Sequence, residues 1–433
     1  MYSSIQNRIH MIEQKFLSTS PKLVSMFKQC YPNTLETTVE LLADETTFII
    51  TGDIPAMWLR DSSAQVRPYI SGCAGDKDLQ RLIRGLIHRQ ANNILIDPYA
   101  NAFNKEADGS GHQSDLTQMG PFIWERKFEL DSLCYPVQLC KEYWDATQDT
   151  ELFNDSLHQA LRIIVDTMRI EQNHDHYSSY TFERSEELCV LPSDTIPNRG
   201  KGTRTNYTGM VWSGFRPSDD ACKFGFLIPS NMFAVVILGH IIEFAENAFQ
   251  DHALAVTAHD LRAEIEFGIQ TYGVYQHLKH GPIYAYETDG FGNYNLMDDA
   301  NVPSLLSIPY LGYRSMDDAI YQNTRAFVLS KDNPYYYEGM YAKGIGSPHT
   351  PHGYVWHIGL IMQGLTSRDN KEQDAIIQML LHTNAETGFM HESFHPDRPE
   401  QYTRSWFAWA NSLFGEFVWK WAEQRDLIKE VHN

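Results

Sequence analysis

The sequence predicts an all-α protein, a helical toroid that carries short β-hairpin insertions. Three observations predict it: apolar residues recur at intervals of three and four along most of the chain, strand-like alternation is brief and local, and long polar loops separate the helical stretches. No βαβ alternation is sustained anywhere. Helices bearing such loops at one end describe a ring with a site at its mouth.

The elements follow in order. Ile5, Ile9, Ile12 and Phe16 form one apolar stripe, and Ser20-Pro21 has the form of an N-cap followed by proline in the first helical turn. Residues 37–42 and 46–51, joined by Ala43, Asp44 and Glu45, read as a short hairpin. A helix is expected near 62–74. Leu79, Leu82, Ile83, Leu86 and Ile87 mark the next, then a segment at 128–147, then Leu161, Ile163, Ile164 and Met168. Further helices fit near 230–248, 252–270, 315–330, 353–366, 371–384 and 404–424. Residues 176–182 and 282–288 read as a second pair of extended segments. Long loops fall at 97–121, 191–220, 286–302, 333–352 and 387–403, and loops of that length in a compact domain are usually functional.

A chain of 433 residues exceeds the roughly 250–300 at which one core stops growing. With no Pro- or Ser-rich linker to divide it, one ring-like domain over residues 1–433 is the expectation. Hydrophobic residues at 42% and charged residues at 21% fit a packed protein. A net charge of −20 argues against nucleic acid, which needs clustered Lys and Arg to displace counterions. The 6 cysteines show neither a CxxC pair nor a dense framework, the N-terminal stretch lacks the apolar run of a signal peptide, and no stretch approaches the ~20 apolar residues of a membrane span. The expectation is a cytoplasmic protein with reduced thiols and no membrane partner.

Five segments can carry chemistry. Residues 51–69, TGDIPAMWLRDSSAQVRPY, gather Asp53, Arg60, Asp61 and Arg67 around Trp58. Carboxylates accept from sugar hydroxyls, guanidinium donates and an indole supplies a flat wall; a structural ion-pair network capped by Asp61 fits the same residues. Residues 124–136, WERKFELDSLCYP, set Trp124 beside Lys127, Glu129 and Asp131, with Glu125 read as the solvated face of a helix. Residues 208–233 contain Asp219-Asp220 after Arg216-Pro217 and ahead of a helix. Adjacent acids resist ionising together, so one is expected to keep a proton, and Asp219 is favoured because Asp220 stands nearer the helix start, where it would cap. Residues 388–399, GFMHESFHPDRP, match HExxH as a string, but Gly388, Pro396 and Pro399 deny it the helix that a zinc site requires. Glu392 is therefore read as a carboxylate base. In the loop holding His349, His352 and His357 the spacing fits no metal pattern, and these histidines are read as partners for sugar hydroxyls. No metal and no cofactor are expected.

Taken together, TGDIPAMWLRDSSAQVRPY, WERKFELDS, SGFRPSDDACKFGFLIPSNMF, KGIGSPHTPHGYVWHIGL and HESFHPDRPEQYTRSWFAWANSLFGE resemble glycoside hydrolase family 125, in order from about residue 30 to about 425. The resemblance implies an (α/α)6 barrel and a metal-independent exo-α-1,6-mannosidase that inverts configuration. Its substrate would be an α-mannoside oligosaccharide, in the setting of carbohydrate metabolism and N-glycan degradation. It also implies a general acid within Asp219-Asp220, a general base at Glu392, and a sugar pocket lined by Arg60, Asp61, His352 and the stretch from Arg404 to Trp406. Two rivals keep the ring: a glycoside phosphorylase, which would want extra cations for phosphate, and a mannoside-binding protein that has lost catalysis.

Overall fold

The computed structural model describes residues 2–428. It is about 48% helical with a few small sheets. The apolar stripes become helices close to where periodicity puts them: Ser3–Phe16, Pro21–Cys30, Lys77–Ile96, Leu130–Thr147, Asp155–Glu171, Ile228–Asn247, His252–Tyr272, Ala319–Val328 and Asn370–His382. Pro21 opens its helix at the first turn as expected, but the Ser20 side chain makes no capping bond. Side-chain caps are made instead by Asp76, Asn154, Asp251, Asp318 and Asp369, each accepting from a backbone N–H in the first turn.

Three helix boundaries differ from expectation, each for a local reason. The helix expected near 62–74 is Leu59–Val66, continued by a 3-10 run at Arg67–Gly75 that begins with Pro68 at its first turn. The helix expected from 353 starts at His357, because Val355–Trp356 is a strand. The one expected from 404 starts at Ala408, because Arg404 adopts a left-handed φ of 46° that no helix accepts. The hairpin is present as Val39–Leu41 paired antiparallel with Thr47–Ile49. Residues 176–182 and 282–288 do not pair with each other. His174–Tyr177 is a helical turn, Gly281–Tyr284 pairs with Val274–His277, and Glu287–Thr288 joins another sheet.

A recurring arrangement positions the functional loops. Three small antiparallel sheets each supply a two-residue strand that runs directly into a buried helix. Met57–Trp58 leads into Leu59–Val66, Phe226–Leu227 into Ile228–Asn247, and Val355–Trp356 into His357–Leu365. Helix Ala408–Glu423 packs against Leu59–Val66 and Pro21–Cys30, bringing the two ends of the chain together. One hydrophobic cluster runs from Ile5 to Ile428. The expectation that no stretch approaches a membrane span is corrected by Ile228–Asn247, which is long and apolar enough to cross one. Its apolar surface has another use here: it packs on His252–Tyr272 and Leu130–Thr147, with 72% of the apolar window buried. None of the six cysteines is paired.

Candidate active site

The residues just ahead of the buried helices meet in a cavity of about 200 Å³. It is smaller than the roughly 300–1,000 Å³ of sites for drug-sized molecules, and suits a small polar unit. Its wall includes Trp58, Arg60, Asp61, Asp219, His349, Glu392 and Arg404.

Asp219 is held by a tight turn. Its φ of 67° is left-handed, its N–H donates to the Arg216 carbonyl at 2.9 Å, and the Arg216 N–H returns a bond to the Asp220 carbonyl at 2.8 Å. Lys127 Nζ donates to the Asp219 carbonyl oxygen at 2.8 Å, and Arg216 is anchored in turn by Glu287 at 2.6 Å. This turn separates two neighbouring acids. The Asp219 side chain is 27% exposed and lines the cavity, whereas that of Asp220 is fully buried, accepting from Ser193 Oγ at 3.0 Å and facing His349 Nδ1 at 3.1 Å. The expectation that Asp220 caps a helix is overturned, since the following helix begins only at Ile228. The expectation that one of these two acids keeps a proton because of the other is overturned too: Asp220 is engaged by Ser193 and His349, and the carboxyl beside Asp219 is that of Glu129.

Arg60 is the hub of this side. Its guanidinium reaches Glu129 at 2.6 Å, Asp131 at 3.2 Å, Asp219 at 3.3 Å and Asp61 at 3.5 Å. Burial pushes Asp219 up, but the Arg60 charge, the bond with Glu129 and the Lys127 and His349 charges together outweigh it and hold that carboxyl well below the usual range. Burial raises Glu129 well above its ordinary value, and raises Asp61 as well. His349 is opposed by burial yet raised to about 9 by its bond to Asp220, so it stands as an imidazolium beside both Asp219 and Glu392. Glu125 is not the solvated helix face it resembles in sequence. It lies buried on strand Ile123–Glu125, beside Arg184 at 2.9 Å and Asn101 at 3.0 Å.

Across the cavity, Glu392 precedes strand Ser393–His395. The chain there is pinned by the Met390 N–H on Asn411 at 2.9 Å and the His391 N–H on His357 Nδ1 at 2.9 Å. Arg404 Nη1 lies 3.7 Å from Glu392, while Asp53 grips the same guanidinium through Nε and Nη2. The His391 ring is already bonded, Nδ1 to the Arg404 carbonyl and Nε2 to Thr387, and it stacks on Tyr402. Among the described residues no group of three or more His, Cys, Asp or Glu is arranged to hold a metal ion.

Several sequence candidates stand elsewhere. Arg67 turns away to Glu142 and stacks on Tyr310. Trp124 lies behind Trp58 in the wall of a separate surface groove. His352 is exposed against Tyr337, and Trp406 donates to Asn33 at 3.3 Å without lining the cavity. Their places are taken by near neighbours, His349 for His352 and Phe407 and Trp409 for Trp406. Asn301 also lines the wall and Asn101 bridges the buried acids. Neither asparagine carries a signal in sequence that separates it from an ordinary loop residue.

Opposed carboxyl groups facing one small polar cavity suit acid–base cleavage of a glycosidic bond. Comparison with known proteins points the same way. The chain is 40% identical over 420 residues to the Meiotically up-regulated gene 157 protein of Schizosaccharomyces pombe, covering 92% of this chain and 81% of that one. A solved Streptococcus pneumoniae structure, described within a new family of widely distributed metal-independent α-mannosidases and holding α-1,6-mannobiose in a non-productive complex, is 46% identical. It superposes with a TM-score of 0.94 over 98% of this chain and 99% of its own. A bacterial glucoamylase bound to acarbose is only 14% identical, with a TM-score of 0.56 over 86% of this chain and 50% of its own, a likeness of fold alone. The model of the metal-independent α-mannosidases matches residues 20–419, and the chain belongs to that family, glycoside hydrolase family 125.

Proposed function

We propose that this α-mannosidase is an exo-acting enzyme that removes non-reducing terminal α-1,6-linked mannose with inversion, using Asp219 as general acid and Glu392 as general base. The observation that carries the reading is that Asp219 and Glu392 line one small cavity from different loops. Inversion needs an acid to protonate the leaving oxygen and a base to activate water on the opposite face of the ring, with the carboxyl groups roughly 6.5–9.5 Å apart. The α-1,6-mannobiose held by the 46% identical neighbour supports the choice of linkage. Trp58, Arg60, Asp61, His349 and Arg404 then bind and orient the mannose, the charged groups through its hydroxyls and the indole through its apolar face.

The same reading takes the helices as an (α/α)6 ring in one domain and the protein as cytoplasmic. A phosphorylase is less well matched, because both arginines in the wall are already engaged by carboxylates. Exo action is tested by digesting an α-1,6-mannan. Mannose as the sole early product, with the chain shortening one unit at a time, is expected; early internal oligosaccharides would show an open cleft.

A further inference from the structure

A general acid must hold a proton when the substrate arrives, yet Asp219 is the carboxyl that Arg60, Glu129 and the nearby Lys127 and His349 hold well below its ordinary range. The surrounding groups explain where that proton is kept. Four carboxyl groups converge on the single Arg60 guanidinium, and the side chains of Glu129 and Asp131 are wholly buried. The other cations are committed: Lys127 to Glu125 at 3.5 Å and to the Asp219 carbonyl, Arg184 to Asp115 and Glu125. Donors are short as well. Among the described residues Asp131 Oδ1 has no hydrogen-bond partner, and one amide group, Asn101 Nδ2, spreads itself over Glu125 at 3.0 Å, Glu129 at 3.4 Å and Asp219 at 3.5 Å. Buried like charges cannot all ionise around one counter-charge, so the cluster retains a proton.

Glu129 is the group placed to hold it. It shares both the Arg60 fork and the Asn101 amide with Asp219, and the two carboxyls interact side chain to side chain. We propose that Glu129 is a positioning residue that stores the catalytic proton for Asp219. The Glu129–Asp219 pair, clasped by Arg60 and Asn101, carries one proton that is delivered to the glycosidic oxygen as the bond breaks. In that step Asp219 takes the proton from Glu129 and passes it to the leaving oxygen, so that both carboxyls end ionised. The electron pair of the C1–O bond goes to the leaving oxygen. Water adds to C1 and loses its proton to Glu392. The pair is then one proton short and Glu392 one proton in excess, and exchange through solvent resets both.

The pair is faced by Arg60 and Asp61 from helix Leu59–Val66, Asp131 from helix Leu130–Thr147, Glu125 from strand Ile123–Glu125 and Lys127 from the segment that follows it. His349 faces Asp219 from the cavity, and the Cys222 thiol lies near Glu129 and Asp131.

The proposal rests on Asp219 being the acid, and its test separates the two. Rates are measured against pH on α-1,6-mannobiose and on a dinitrophenyl α-mannoside for the native enzyme, Glu129→Gln, Glu129→Asp and Asp219→Asn. Without a carboxyl at 129 the store is lost, and Asp219, facing the charges of Arg60, Lys127 and His349, gives up its proton at lower pH. Glu129→Gln is therefore expected to lower mannobiose turnover by about 10–100-fold and move the alkaline limb down by about one pH unit, with a visibly smaller loss on the aryl substrate. Glu129→Asp keeps a carboxyl and should place the limb between the two. Equal losses on both substrates with an unmoved limb would make Glu129 merely structural and overturn the proposal. If the Gln variant does not fold, an unmoved limb in Glu129→Asp overturns it equally. Should Asp219→Asn itself lack leaving-group dependence, the assignment of Asp219 falls first.

Discussion

The two sides of the cavity are built by opposite means. On the Asp219 side, four carboxyl groups crowd one buried guanidinium, and the residues that hold them come from segments about 70 to 160 positions apart. On the Glu392 side a single glutamate has Arg404 Nη1 3.7 Å away and the His349 imidazolium beside it, and Arg404 is tied to Asp53 at the exposed rim. Crowding of buried acids around one counter-charge retains a proton, which supplies the acid side. The difference teaches how one cavity keeps an acid and a base apart at the same pH: each carboxyl takes its role from its neighbours.

Breaking the base side should have the largest effect. Glu392→Gln leaves water unactivated whatever the leaving group, so turnover should fall by about 10³–10⁴-fold on mannobiose and on a dinitrophenyl mannoside alike. Steady-state rates on the two substrates check this. On the acid side the loss depends on the leaving group. Asp219→Asn should cost about 10²–10⁴-fold on mannobiose and far less on the aryl substrate, which departs without a proton. Asp220→Asn, altering a buried support of His349, should weaken both substrates by similar factors. The reverse pattern between the two aspartates would exchange their roles.

A stability measurement sharpens the contrast further. Arg60→Met removes the guanidinium that four carboxyl groups share, and breaking a buried pair in this way typically costs about 3–5 kcal/mol. Denaturant unfolding should show that loss, and a variant as stable as the native chain would deny Arg60 its place as the hub. The smallest effect concerns His349. Its pKa is raised from an ordinary 6.5 to about 9 by Asp220, so its contribution to stability is complete below pH 6.5 and fades as pH rises through 9. Native stability should therefore decline more steeply across that window than stability of His349→Gln; parallel curves would remove the imidazolium from the account.

Periodicity made the helices legible because their apolar stripes face one continuous core, as in Ile5, Ile12 and Phe16. Glu392 was legible for a local reason: the glycine and prolines around it deny HESFH a helix. The acid cluster was not. Glu125 and Glu129 look like surface residues until distant Arg184 and Arg60 are brought beside them, and no local pattern announces such pairings. The backbone turn at Asp219 and the left-handed φ at Arg404 likewise decide which neighbour faces the cavity. That is why His349, Phe407 and Trp409 line the wall where sequence favoured His352 and Trp406.

The division of labour across the cavity is tested most directly by the anomer first released. In an NMR time course on α-1,6-mannobiose, water activated by Glu392 opposite to the acid should yield β-mannose before mutarotation. Initial accumulation of α-mannose would mean a covalent intermediate, and would contradict the assignment of Glu392 as base and Asp219 as acid.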